Sequence, residues 1–135
     1  MKITKNILGV VIIIFTMAFL YGCGNPESVQ TSLSIQETQW SEQGSSTYDP
    51  SIFTPLQKGD VVYDDNFTKI TVTSVNESRI VLALEGHMVE ANDDGTIDLH
   101  AEPIEKLELD CGQSIELVSQ SMSAGFNLVI SYERN

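Results

Sequence analysis

The sequence predicts an all-β fold: a small antiparallel β-sandwich that follows an export signal and a disordered linker. Three observations support this prediction. Beyond residue 58, short β-like runs are broken by turn residues about every 8 to 12 positions. No window beyond residue 24 holds a sustained helical period. The chain has 135 residues, which leaves room for one domain after the N-terminal segments. The number of strands favours an immunoglobulin-like arrangement.

The folded domain is expected over residues 58–135, and its first three strands follow one another closely. Val61 to Tyr63 forms the first short strand, and the apolar residues of the Thr-rich run 70–75 lie in the second. Arg79 to Glu85, with the sequence RIVLALE, is the most apolar stretch of the domain. A nearly continuous apolar run is typical of a buried strand, so we expect this one at the centre of a sheet.

A hairpin is predicted around Asn92-Asp93-Asp94-Gly95, because glycine accepts the positive φ of such a turn. Its strands would be 87–91 and 96–101, and the second alternates in polarity as a half-buried strand does.

The C-terminal part of the domain predicts three more strands. The run 104–110 places Cys111 in register with its leucines, so Cys111 should face inward. The next two strands carry Ile115 and Leu117, and then Phe126, Leu128, Ile130 and Tyr132.

The first 22 residues have the layout of an export signal. Lys2 and Lys5 precede fourteen uncharged residues, from Ile7 to Leu20. A membrane-spanning helix needs about 20 apolar residues, so cleavage is favoured over retention.

Leu20-Tyr21-Gly22-Cys23 resembles the lipobox of bacterial lipoproteins. The resemblance implies cleavage before Cys23 and a diacylglyceryl group on its thiol, and two acyl chains suffice for stable anchoring. Cys111 would then have no intramolecular partner. An uncleaved membrane anchor and a fully secreted protein are the alternatives.

Residues 23–57 are rich in Ser, Thr, Gln, Glu, Gly and Pro, which predicts a flexible tether. Trp40 is interpreted as a lone aromatic residue within it, because no second aromatic residue lies nearby in the sequence to build a platform.

The chain is acidic, with seven basic and 19 acidic residues. Cleavage before Cys23 removes two of the basic residues and leaves a formal charge of −14. Nucleic acid is therefore disfavoured as a partner, and a cationic partner or a divalent metal is electrostatically acceptable.

Candidate chemistry is sparse. Acids around Gly95 do not fit a calcium loop, because Ala101 stands where a bidentate Glu is required, and we interpret them as turn residues. Asp98 and His100 would share a strand face, but a zinc site needs three or four ligands. Cys111 and His100 could form a catalytic thiolate pair, but the acidic residues beside Cys111 disfavour deprotonation of its thiol.

The sequence therefore predicts a lipid-anchored extracytoplasmic protein that acts as a non-catalytic binding or structural module of the bacterial cell envelope. It would need no cofactor or metal, and it would bind another envelope protein, a wall polymer or a small ligand. The alternative is a metal-dependent binder or enzyme with a site around Asp98 and His100.

Overall fold

A computed structural model describes residues 30–135, which form two antiparallel sheets packed face to face. The prediction of an all-β sandwich is confirmed. Within these residues there are ten strands: β1 (Thr31–Ser41), β2 (Gly44–Thr47), β3 (Ser51–Phe53), β4 (Val61–Asp64), β5 (Lys69–Val75), β6 (Arg79–Glu85), β7 (Met88–Glu90), β8 (Lys106–Asp110), β9 (Ser114–Ser119) and β10 (Ala124–Arg134). None of the described elements is a helix long and apolar enough to span a membrane.

The smaller sheet has the strand order β4-β5-β6-β8. The RIVLALE run forms β6 and lies between β5 and β8, as predicted, with Ile80, Leu82 and Leu84 buried. Strands β4, β5 and β6 follow one another in the sequence and are neighbours in this sheet. The four-stranded sheet of an immunoglobulin constant domain has the order A-B-E-D, so the strand order differs from the immunoglobulin one.

The larger sheet has the order β2-β1-β10-β9-β7, and β3 also pairs with β1. Strands β1 and β10 pair along their whole length, from Thr31 opposite Arg134 to Ser41 opposite Ala124. Alternate residues of both strands point into the space between the sheets. The buried core joins the two sheets and includes Leu33, Ile35, Ile70, Val72, Ile80, Leu82, Leu107, Leu109, Leu117, Leu128, Ile130 and Tyr132.

The predicted tether over residues 23–57 is wrong for the part that the structure describes. Residues 31–53 contain three strands of the larger sheet, so the folded domain includes these residues and does not begin at residue 58. The polar composition was misleading because a strand with one buried face needs only every second residue to be apolar. Leu33 and Ile35 supply that face. The segment 23–29 lies outside the described residues.

The predicted hairpin is only partly correct. The turn forms, with Gly95 at φ +79° and its N–H donating to the Asn92 carbonyl at 2.9 Å. Residues 96–101 are not a strand, however, and β7 pairs with β9 instead. Residues 96–101 form a loop instead. The side-chain amide of Gln120 fixes this loop by donating hydrogen bonds to the carbonyls of Asp98 and Ala101.

The sandwich has two ends, which are distinguished by the ends of β1 and β10 that lie there. We call the end where β1 begins and β10 ends the terminal pole; there the N–H of Asn135 donates to the Gln30 carbonyl at 2.8 Å. We call the opposite end, where β1 ends and β10 begins, the cleft pole.

Candidate functional site

An open cleft of about 620 Å³ lies at the cleft pole. This volume is within the range of about 300–1,000 Å³ that is usual for small-molecule sites. Residues from the end of β1, the start of β10 and three loops line it: Glu37, Gln39, Trp40, Asp65, Phe67, Thr68, His87, Met88, Ser119, Gln120, Ser121, Ala124, Gly125 and Phe126.

Three aromatic residues are among those that line the cleft: Trp40, Phe67 and Phe126. Phe126 is stacked on Tyr63, with ring centroids 6.1 Å apart and an interplanar angle of 22°. Trp40 is oriented by its indole N–H, which donates to Asn127 Oδ1 at 2.9 Å. Phe67 is 80% exposed at the rim. Exposed aromatic surface next to a concavity favours ligand contact.

The position of Trp40 depends on Gly125, which is its partner in the β1–β10 register. A Cβ atom at residue 125 would lie 2.7 Å from Trp40 Cζ2 and would also collide with Ser119 Oγ. Only glycine therefore leaves room for the indole ring to lie against β10.

Phe67 is held at the rim by a tight turn. Asp65 Oδ1 accepts hydrogen bonds from the backbone N–H groups of Phe67 at 2.7 Å and Thr68 at 2.6 Å. Gly86 packs against this turn with φ +129°, and a Cβ there would lie 2.7 Å from the Phe67 carbonyl oxygen. The turn is thus fixed from both sides, while the Phe67 ring stays in solvent.

Two carboxylates of the cleft lining, those of Glu37 and Asp65, meet at the hydroxyl of Tyr63, which lies behind the lining. Tyr63 Oη lies 3.1 Å from Glu37 Oε2 and 3.2 Å from Asp65 Oδ2. Burial raises the pKa of Tyr63 above its ordinary value, and the charges of Glu37 and Asp65 raise it further. Tyr63 keeps its proton at neutral pH and acts as a hydrogen-bond donor to one of the two carboxylates.

The charge around the cleft is one-sided. Its lining includes two carboxylates, one histidine and no lysine or arginine. The ion pairs found within residues 30–135 involve Arg79 and Lys106, which bind Glu108 and Asp110 elsewhere. The cleft can therefore supply negative charge, hydrogen-bond acceptors and aromatic faces.

The predicted pair Asp98 and His100 lies in the loop after the 92–95 turn, outside the cleft lining. Asp98 Oδ1 accepts a hydrogen bond from the His100 backbone N–H at 2.9 Å, so this carboxylate shapes the loop. Within residues 30–135, no three His, Cys, Asp or Glu side chains are grouped so as to hold a metal ion.

The interpretation of the acids near Gly95 as turn residues is confirmed for Asp94. Its Oδ1 accepts from the N–H of Thr96 at 2.9 Å and from the hydroxyl of Thr96 at 2.6 Å. These hydrogen bonds lower the pKa of Asp94.

Cys111 packs against the core, as predicted, and is partly buried. Its N–H donates to the Ser78 carbonyl, whereas the loop that carries His100 is tied to Gln120 beyond the other end of β9. The structure does not bring these two residues together as a thiolate pair. Cys23, the predicted lipidation site, lies outside the described residues.

Sequence reasoning missed the cleft. Glu37 and Trp40 fell within the predicted tether, and no pattern in the sequence singled out Asp65 or Phe67. The available signal was the alternation of Leu33 and Ile35 with polar neighbours, which marks β1 as a strand and so places Glu37 and Trp40 on the domain.

The fold and the site together define a small β-sandwich domain with a ligand-sized cleft at one end. Comparison of the chain with protein-family models, with curated proteins and with solved structures found no match. What the cleft binds is therefore argued from its own residues.

Proposed function

We propose that this chain is a lipid-anchored, non-catalytic binding module of the bacterial cell envelope, and that its ligand occupies the cleft. The observation that carries the proposal is the placement of the cleft. It lies at the pole opposite the one where β1 emerges from the N-terminal segment. A site presented away from its anchor is accessible to a partner in the envelope.

The lipobox-like sequence at residues 20–23 supports the anchor. Only seven residues separate Cys23 from Thr31, where β1 begins. Such a segment spans at most about 25–30 Å when fully extended, so a lipid on Cys23 keeps the terminal pole close to the membrane. The path along β1 from Thr31 to Trp40 then adds about 30 Å, at about 3.3 Å per residue.

The chemistry of the cleft supports binding over catalysis. General acid–base catalysis works best with a group whose pKa is near the operating pH. The raised pKa of Tyr63 moves this hydroxyl away from that range. Its role is to hold the two carboxylates in place, which suits a preformed binding site.

The anchor is tested with a matched pair of cysteine variants expressed in a bacterial host. Full-length protein is separated by detergent phase partition, and the N-terminal peptide is analysed by mass spectrometry. Wild type and Cys111→Ser should enter the detergent phase with a diacylglyceryl mass on Cys23, while Cys23→Ser should stay in the aqueous phase. Unmodified Cys23, or a Cys23–Cys111 disulfide, in the wild-type protein would contradict the proposal.

A further inference from the structure

On the basis of the binding function proposed above, we infer that the cleft takes an organic cation with an apolar stem. Its ammonium group is held between Glu37 and Asp65, and its stem lies against the aromatic wall. The ammonium can belong to a free amine or to a lysine side chain, and the test separates these sources.

The first argument is the balance of charge and protons at Glu37 and Asp65. The Tyr63 hydroxyl has a single proton and two carboxylates within hydrogen-bond distance, so it can donate to only one of them at a time. The remaining donors are neutral: the Gln39 amide at 2.9 Å from Glu37 Oε1, and the backbone N–H groups at Asp65 Oδ1. Two negative charges therefore face the cleft without a cationic partner among the described residues.

The second argument is the aromatic wall. A cation positioned over an aromatic face is attracted by the ring quadrupole. Phe67 and Phe126 line the cleft and offer aromatic and apolar surface to a methylene stem. The exposed Phe67 ring would lose contact with water when a ligand covers it.

Other ligand classes use these features less well. An anion would be repelled by both carboxylates. Among divalent metals, calcium prefers six or more oxygen ligands. Aromatic side chains supply none of these ligands. A neutral sugar would stack on an aromatic ring but would leave both charges unpaired. These classes become the control arms of the test.

Trp40 is the only tryptophan of the chain, so its fluorescence reports directly on the cleft. Detergent-solubilised full-length protein is titrated with hexylammonium and, separately, with N-acetyl-lysine methylamide. Hexanol, hexanoate, methyl glucoside and calcium chloride serve as comparison probes. We expect saturable changes with the hexylammonium probe, weakened by added salt. A response to the lysine derivative of similar strength points to a polypeptide partner, and a response to hexylammonium alone points to a free amine.

The charge variants Glu37→Gln and Asp65→Asn remove the negative charge and keep one acceptor oxygen each. Glu133→Gln removes a charge at the terminal pole and is the matched control. Each cleft variant should weaken hexylammonium binding about tenfold, and Glu133→Gln should leave it unchanged. Circular dichroism confirms that each variant is folded.

The outcomes separate the two proposals. If hexanol binds as tightly as hexylammonium, or if neither cleft variant changes the binding of hexylammonium, the inference that the ligand is a cation is wrong. The cleft would still be a binding site. The absence of a saturable change with every probe overturns the cleft as a site as well. The anchor is tested independently by the mass of the Cys23 peptide.

Discussion

Two tyrosines at opposite poles of the sandwich show how differently its ends are built. Tyr132 is fully buried at the terminal pole, where its hydroxyl bonds the Thr31 hydroxyl at 2.8 Å and the Asn76 carbonyl. Tyr63 is half-buried at the cleft pole, where its hydroxyl meets two carboxylates. The terminal pole pairs its polar groups with neutral partners or, for Arg79 and Asp110, with the opposite charge, whereas Glu37 and Asp65 at the cleft pole have no cationic partner among the described residues. The first arrangement favours stability and the second favours recognition.

The largest expected effect comes from Tyr132→Ala. This change removes a fully buried aromatic ring and leaves a cavity, which costs about 3–5 kcal/mol in comparable cores. Urea unfolding followed by circular dichroism measures the loss. Tyr48→Ala is the matched control, because Tyr48 is half exposed. Equal losses in the two variants would show that the terminal pole is not the stabilised end.

Gly125→Ala should have an intermediate effect. The new methyl group meets the Trp40 ring and Ser119 Oγ, and overpacking of this kind costs about 1–3 kcal/mol. Urea unfolding measures the cost, and the Trp40 emission should shift because the ring must move.

A double-mutant cycle with Trp40→Ala sharpens this prediction, since removal of the ring should reduce the cost of the alanine at residue 125. Equal costs in the two backgrounds would contradict the proposed packing of Trp40 on β10.

The smallest effect, and the most specific to the cleft pole, is expected for Tyr63→Phe. At neutral pH the lost hydrogen bond costs about 0.5–1.5 kcal/mol. Because the pKa of Tyr63 is raised in the folded state, its contribution to stability is complete below the unfolded tyrosine pKa of about 10 and is lost as the pH rises above it.

The difference in free energy of unfolding between wild type and Tyr63→Phe should therefore shrink from pH 8 to pH 11. Tyr48→Phe provides the control. A constant difference over this range would contradict the burial of Tyr63 between Glu37 and Asp65.

The strands that were predictable from the sequence are those with strong apolar runs. The RIVLALE run forms β6 at the predicted bounds, and the alternation of Leu128, Ile130 and Tyr132 marks β10. Strand β1 was missed because Ser, Thr and Gln dominate its outer face and conceal the two buried residues Leu33 and Ile35. The turn residues 92–95 led to the opposite error, a strand predicted where there is none. The turn forms, but residues 96–101 after it are not a strand.

The cleft was not predictable because its members are distant in the sequence. Glu37 and Trp40 come from β1, Asp65 and Phe67 follow β4, and Phe126 is in β10. No spacing rule links these positions. Only the pairing of β1 with β10, and the packing of the two sheets, brings them to one pole.

The pairing of Thr31 with Arg134 has a consequence for how the protein is made. Strand β1 cannot pair with its main partner until residues 124–134 are available, and contacts between segments so distant in the sequence form slowly. The closing of the larger sheet around β1 is therefore expected to be a late step of folding.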